Sequence, residues 1–139
     1  MRPGILVDTG PLVAYFCEKD ARHQWAVEQF KTFVPPVFSC EPALTEACFL
    51  LARAGIPEKK LLDKVRSGVI RIGLRLDEEA SAIGELMERY RNIPMSLADA
   101  CMVRLAEASN SPVCTLDSDF LVYRKRNKEP LALIIPAMS

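Results

Sequence analysis

The sequence holds little with which to build a soft-metal or redox centre. Histidine occurs once, at His23, so a His-rich zinc site is not expected. There are five cysteines, Cys17, Cys40, Cys48, Cys101 and Cys114, an odd number with no C-x-x-C pair. Each lies in an apolar stretch, which fits reduced thiols better than disulfides. Charge of either sign is not in excess: Lys plus Arg and Asp plus Glu both number 18. A globally basic nucleic-acid binder is therefore not expected, and any positive charge must be local or brought by an ion. No apolar run approaches the roughly 20 residues of a membrane-spanning helix. The apolar Gly4–Val7 ends in an acid and is too short for a secretory leader. No P-loop and no G-x-G-x-x-G occurs, which argues against a nucleotide cofactor. These absences point to a cytoplasmic chain with no membrane partner.

What is present suffices for one domain, 1–139. Half of the 139 residues are hydrophobic, and a chain of this size buries roughly two-thirds of its unfolded surface on folding. Short apolar runs alternate with helix-spaced stretches. Gly4-Ile-Leu-Val7 reads as a strand buried on both faces. A short helix to about Cys17 follows Asp8-Thr9-Gly10-Pro11. Ala21 to about Phe33 carries Trp25, Phe30 and Phe33 at helical spacing, and Pro35-Pro36 breaks it. Val37–Ser39 predicts a second strand. Pro42 opens a helix to about Arg53, and Pro57 opens another to Gly68. Val69–Gly73, Pro112–Thr115 and Leu131–Ile135 predict three further strands. Helices are expected from Asp77 to about Arg91, from Ser96 to Asn110, and briefly after Asp117. The alternation argues for an α/β fold, a three-layer α/β/α sandwich around a mostly parallel sheet. Ligands in such folds sit beyond the carboxyl ends of the strands.

Four acids stand out. Asp8 and Asp117 each follow a strand, which is either turn chemistry or placement at one sheet edge. Glu46 falls on the flank of an apolar arc when its helix is wound at about 100° per residue. A solvated residue or a partner for Arg53 is the plain alternative. Asp99 lies in a helix apolar over most of its circumference, where an unpaired carboxylate costs several kcal/mol. Ser96-Leu-Ala-Asp99 also fits a capping box, with Asp where Glu or Gln is usual. Gathered together, the four would repel: two such charges about 4 Å apart cost about 4 kcal/mol at an effective dielectric of about 20. A cluster of this kind needs a cation or a proton. Oxygen donors without His or thiolate suit Mg²⁺ or Mn²⁺, which activate water and stabilise charge on a phosphate.

These segments, in this order, resemble the PIN-domain nucleases, and most closely the VapC-type toxins. Ile5-Leu-Val-Asp-Thr-Gly-Pro-Leu-Val-Ala14 is similar to the family's opening strand and acid. Leu44-Thr-Glu-Ala-Cys-Phe-Leu-Leu51 is similar to the helix with the second acid, and Met95-Ser-Leu-Ala-Asp-Ala-Cys101 to the third. Cys114-Thr-Leu-Asp-Ser-Asp-Phe120 resembles the terminal T-x-D motif. The resemblance implies a PIN-like fold and a metal-dependent ribonuclease that uses metal-activated water. It places the metal-binding and catalytic acids at Asp8, Glu46, Asp99 and Asp117. Asp119 either joins the metal ligands or caps a short helix, and Thr9 and Thr115 are expected as hydrogen-bond donors behind the acids. An RNA substrate, a cognate antitoxin and a homodimer are the implied partners. The match ends at Phe120.

Other residues carry weaker expectations. The basic run Arg124-Lys-Arg-Asn-Lys128 is either a contact to the RNA backbone or a solvated loop, as are Lys59, Lys60, Lys64 and Arg66. His23 reads as a boundary residue, and Phe49 as a candidate interface residue. Trp25, Phe30 and Phe33 read first as a core face, with a dimer surface or an antitoxin groove as the alternatives. Three alternatives remain: an RNA-processing nuclease without an antitoxin, a noncatalytic binding module on the same scaffold, and an aspartate-nucleophile phosphatase. Against the last, Gly10 stands where that group's second Asp is usual.

Overall fold

A computed structural model describes residues 4–137. Five short strands form one sheet, in the order β3-β2-β1-β4-β5. They are β1 (Leu6–Val7), β2 (Val37–Ser39), β3 (Ile70–Ile72), β4 (Val113–Cys114) and β5 (Leu133–Ile134). Every strand pairing is parallel. The helices are α1 (Thr9–Phe16), α2 (His23–Thr32), α3 (Glu41–Arg53), α4 (Lys59–Arg66), α5 (Leu76–Arg89) and α6 (Leu97–Ser109). A 3₁₀ turn spans Ser118–Leu121. The α/β sandwich with a parallel sheet is thus the fold observed.

Alternation along the strands builds two cores, because successive strand side chains point to opposite faces. Leu6 and Val113 pack with the apolar face of α6 and with Ile83 and Leu86 of α5. Val7 and Cys114 face Leu12, Leu44, Leu51 and Leu61, from α1, α3 and α4. Phe16, Trp25, Phe30 and Phe33 pack half-buried against that second core. α6 buries seven of its residues, which explains its nearly uncharged sequence.

Several boundaries differ from the sequence expectation by local chemistry. α1 begins at Thr9, directly after β1, because Asp8 already has the extended backbone of an N-cap. α4 spans only Lys59–Arg66. Gly68, with φ +84°, closes that end in the left-handed conformation that glycine adopts without strain.

The topology positions the site. From β1 the chain runs to β2 and β3 on one side, then returns to β4 and β5 on the other. The order reverses between β1 and β4. In open parallel sheets that reversal leaves a crevice beyond the carboxyl ends of the two strands.

Candidate active site

Asp8 leaves β1 and Asp117 leaves β4, so both reach this crevice. The register pairs Val7 with Cys114, which sets Asp8 beside Thr115. The Thr115 hydroxyl donates to Asp8 Oδ2 at 3.0 Å and accepts from the Asp117 amide at 3.0 Å. Thr115 is fully buried and Asp8 is 5% exposed. Burial pushes the Asp8 carboxyl up from 3.8 to about 6; bonds from Thr9 and Thr115 oppose this, and the charges of Asp99 and Asp117 add to it.

Glu46 is carried in by α3, where Pro42 lies in the first turn. It is exposed, and its Oε2 accepts from the Thr9 hydroxyl at 3.0 Å. That hydroxyl also lies 3.2 Å from the Ala43 carbonyl oxygen, so its one proton is shared. The suggested Arg53 partnership does not form. The Arg53 guanidinium instead sits 5.7 Å from the centre of the Phe49 ring.

Asp99 lies in the first turn of α6. The Asp99 amide donates to Ser96 Oγ at 3.0 Å, and the Ser96 amide donates to Asp99 Oδ2 at 3.2 Å. The capping box is therefore complete, although Asp is shorter than the usual Glu. Capping and membership of the acid group, set against each other in the sequence, fall on one side chain. Burial lifts the Asp99 pKa, Asp117 adds to the rise, and the bonds from Ser96 and Tyr123 oppose it. Asp8, Asp99 and Asp117 thus lie close enough to sense one another's charge.

Asp119 does not cap the short helix. Asp117 does, its Oδ1 accepting from the Asp119 amide at 2.9 Å. Asp119 is left half-buried beside the group.

The sequence reading missed Tyr123, just past the last motif. Its hydroxyl donates to Asp99 Oδ2 at 3.2 Å, and its ring is fully buried. It meets Phe120 and Tyr90 edge-on, with ring centres 5.2 and 5.1 Å apart. It follows the 3₁₀ turn in a loop, so no periodic pattern marked it.

The basic run is largely tied into the fold. Arg124 donates to the carbonyls of Leu121, Val122 and Tyr123. Lys125 bonds Asn110 at 2.8 Å, and Arg126 pairs with Glu85 at 3.6 Å. Lys59 and Arg66 pair with Asp63. His23 Nδ1 lies 2.8 Å from the Ala14 carbonyl oxygen, a structural contact on the opposite core.

The donor set fits a hard divalent cation in kind: carboxylates only, with thiols excluded by burial of Cys40, Cys101 and Cys114. It is not a closed coordination shell. Among the described residues no three His, Cys, Asp or Glu side chains stand in a ready-made ligating arrangement. Glu46 sits out on its helix flank against Thr9. A cleft of about 430 Å³ adjoins Glu46, between Glu41, Pro42, Thr45, Leu74, Leu76 and Leu97.

A parallel α/β sheet with acids at its switch point defines the fold class. Comparison narrows it. The PIN domain family model matches residues 5–126, and the chain belongs to the PIN domain family. Among solved structures it is similar to VapC20 of Mycobacterium tuberculosis, described as a toxin that cleaves the sarcin–ricin loop. The identity is 24% and the TM-score 0.72, over 83% of this chain and 91% of that one. Comparison with functionally curated proteins finds no match. Family membership displaces the aspartate-nucleophile phosphatase. Gly10 reinforces this, because a Cβ there would come within 3.2 Å of Leu116.

Proposed function

We propose that this PIN domain is a divalent-cation-dependent endoribonuclease that hydrolyses RNA phosphodiester bonds, and that it is the toxin of a toxin–antitoxin pair. One observation carries the reading: Asp8, Asp99 and Asp117 gather at the switch point, where burial and mutual repulsion lift the Asp8 pKa to about 6. Such an arrangement gains stability from a cation, and no basic side chain pairs with any of the three among the described residues.

Asp8, Glu46, Asp99 and Asp117 are the proposed ligands of Mg²⁺ or Mn²⁺, with Asp119 as an outer contributor. A cation held there supplies a Lewis acid for the phosphate and lowers the pKa of a coordinated water. The chain's own residues do the rest. Thr115 holds Asp8 and the Asp117 backbone in one register. Thr9 keeps Glu46 at the rim. The capping box keeps the Asp99 carboxylate over the first turn of α6. The helix N-terminus there favours negative charge, which eases the gathering of anions.

The toxin assignment follows the likeness to VapC20 and carries the expectation of a cognate antitoxin, a homodimer and a cytoplasmic setting. No described helix is long and apolar enough to cross a membrane. The test is cleavage of a labelled single-stranded RNA panel by the purified chain and by Asp99→Asn, with Mg²⁺ or Mn²⁺ and with EDTA. The proposal expects metal-dependent cutting that the variant and EDTA abolish. Equal cutting by both proteins overturns the site. No binding of either metal, together with no cutting, favours the noncatalytic module.

A further inference from the structure

We infer that Tyr123 is a positioning residue of the acid site, fixing through its hydroxyl which oxygen of Asp99 is left to meet a cation. The inference rests on the cation-dependent reading above and goes beyond it, because Tyr123 lies outside the four acid motifs. Three observations support it.

First, the hydroxyl donates to Asp99 Oδ2, the same oxygen that accepts from the Ser96 amide. An ionised carboxylate only accepts, so the tyrosine is the donor. Two donors on one oxygen, one from the α6 N-cap and one from the loop after the 3₁₀ turn, restrict the rotation that a single bond would leave. Second, Asp99 Oδ1 has no hydrogen-bond partner among the described residues. No buried side-chain oxygen there lacks a partner, and Asp99 is only half-buried, so Oδ1 is open to solvent. One oxygen is anchored and the other is free for a ligand. Third, the tyrosine itself is held rigidly. Its ring is fully buried between Phe120 and Tyr90. The chain just after it is pinned by the Arg124 amide, which donates to the Tyr90 hydroxyl at 2.9 Å. A phenol keeps its proton at neutral pH, so the hydroxyl is available as a donor.

A ligand carboxylate fixed in this way gains affinity because less freedom is lost on coordination. Removing such an outer hydrogen bond typically lowers metal affinity by about 10- to 100-fold. Tyr123→Phe tests this with little disturbance to packing, since the ring remains. Tyr15→Phe is the companion: it removes a tyrosine hydroxyl from a separate aromatic cluster, with Phe16 and Phe30. Mn²⁺ affinity is measured by calorimetry for the full chain and both variants, with melting temperatures recorded alongside. The expected result is a loss of about ten-fold or more for Tyr123→Phe, with Tyr15→Phe within two-fold of the wild type. Equal affinities for the wild type and Tyr123→Phe overturn the positioning role alone. So do equal losses in the two variants, which mark a general effect of removing a tyrosine hydroxyl. If the wild-type chain binds no Mn²⁺, the positioning role falls together with the cation-dependent reading.

Discussion

Asp8→Asn removes the most strained charge in the protein, and its consequence for stability can be worked out in advance. The folded chain raises the Asp8 pKa from 3.8 to about 6, chiefly by burial. At about 1.4 kcal/mol per unit, an ionised Asp8 leaves the cation-free fold about 3 kcal/mol less stable than a neutral one. The sign follows from proton linkage. Between about pH 4 and 6 the folded state holds a proton on Asp8 that the unfolded state has released, so stability falls as pH rises through that window. Asparagine is neutral throughout. Its oxygen can still accept from Thr115, but an amide NH₂ then faces the Thr9 backbone donor, which loses about 1 kcal/mol. The net gain at pH 7.5 in EDTA is about 2 kcal/mol, on the order of 5–10 °C in melting temperature for a chain of this size. Urea denaturation of both proteins between pH 4.5 and 8 checks this. The difference in stability should grow from pH 4.5 to about 6.5 and then level off. A variant less stable than the wild type at pH 7.5, or a difference that does not change with pH, refutes the argument.

Further outcomes follow from the same contacts. Thr115→Val removes a fully buried hydroxyl that serves both Asp8 and the Asp117 amide, so it should destabilise by about 1–3 kcal/mol in chemical denaturation. It should also raise the Asp8 pKa further, read by NMR titration, because the Thr115 bond lowers it. Ser96→Ala breaks one half of the capping box and should cost about 1 kcal/mol of stability, measured by urea denaturation. A thiol reagent should label Cys17 and Cys48 in the native chain and spare Cys40, Cys101 and Cys114 until it unfolds, because those three are buried. Burial also pushes the Cys114 thiol up to about 12, so little thiolate is available to react.

The strands and helices were legible because each carries a plain physical signal. Leu6-Val7 and Val113-Cys114 are short apolar runs, as expected of central strands covered on both faces. Pro42 and Ser96 mark helix starts by their backbone chemistry. The convergence of Asp8 with Asp117 was foreshadowed by two acids at the ends of two strands, but strand order was needed to make those strands neighbours. Local pattern carries no information on order. For the same reason sequence could weigh capping against site membership for Asp99 without seeing that the capping carboxyl also lies within reach of the Asp117 charge. Arg53 was one alternative partner for Glu46 because helical spacing considers only the same helix, whereas Thr9, which does bond it, comes from α1. Tyr123 was missed because a residue fixing a carboxylate from a distant loop leaves no periodic trace. The basic run Arg124–Lys128 read as a solvated loop or an RNA contact by charge alone, and the carbonyls that engage Arg124 are backbone atoms that composition does not reveal.

The central claim is that Asp8, Asp99 and Asp117 act as one cation centre. It is tested most directly by titrating Mn²⁺ into the wild-type chain, into each Asp→Asn variant at these three positions, and into Glu107→Gln as an acid outside the group. The account predicts a saturable site in the wild type and in Glu107→Gln, and its loss in each of the three aspartate variants. Binding that survives Asp8→Asn, Asp99→Asn and Asp117→Asn alike would contradict it.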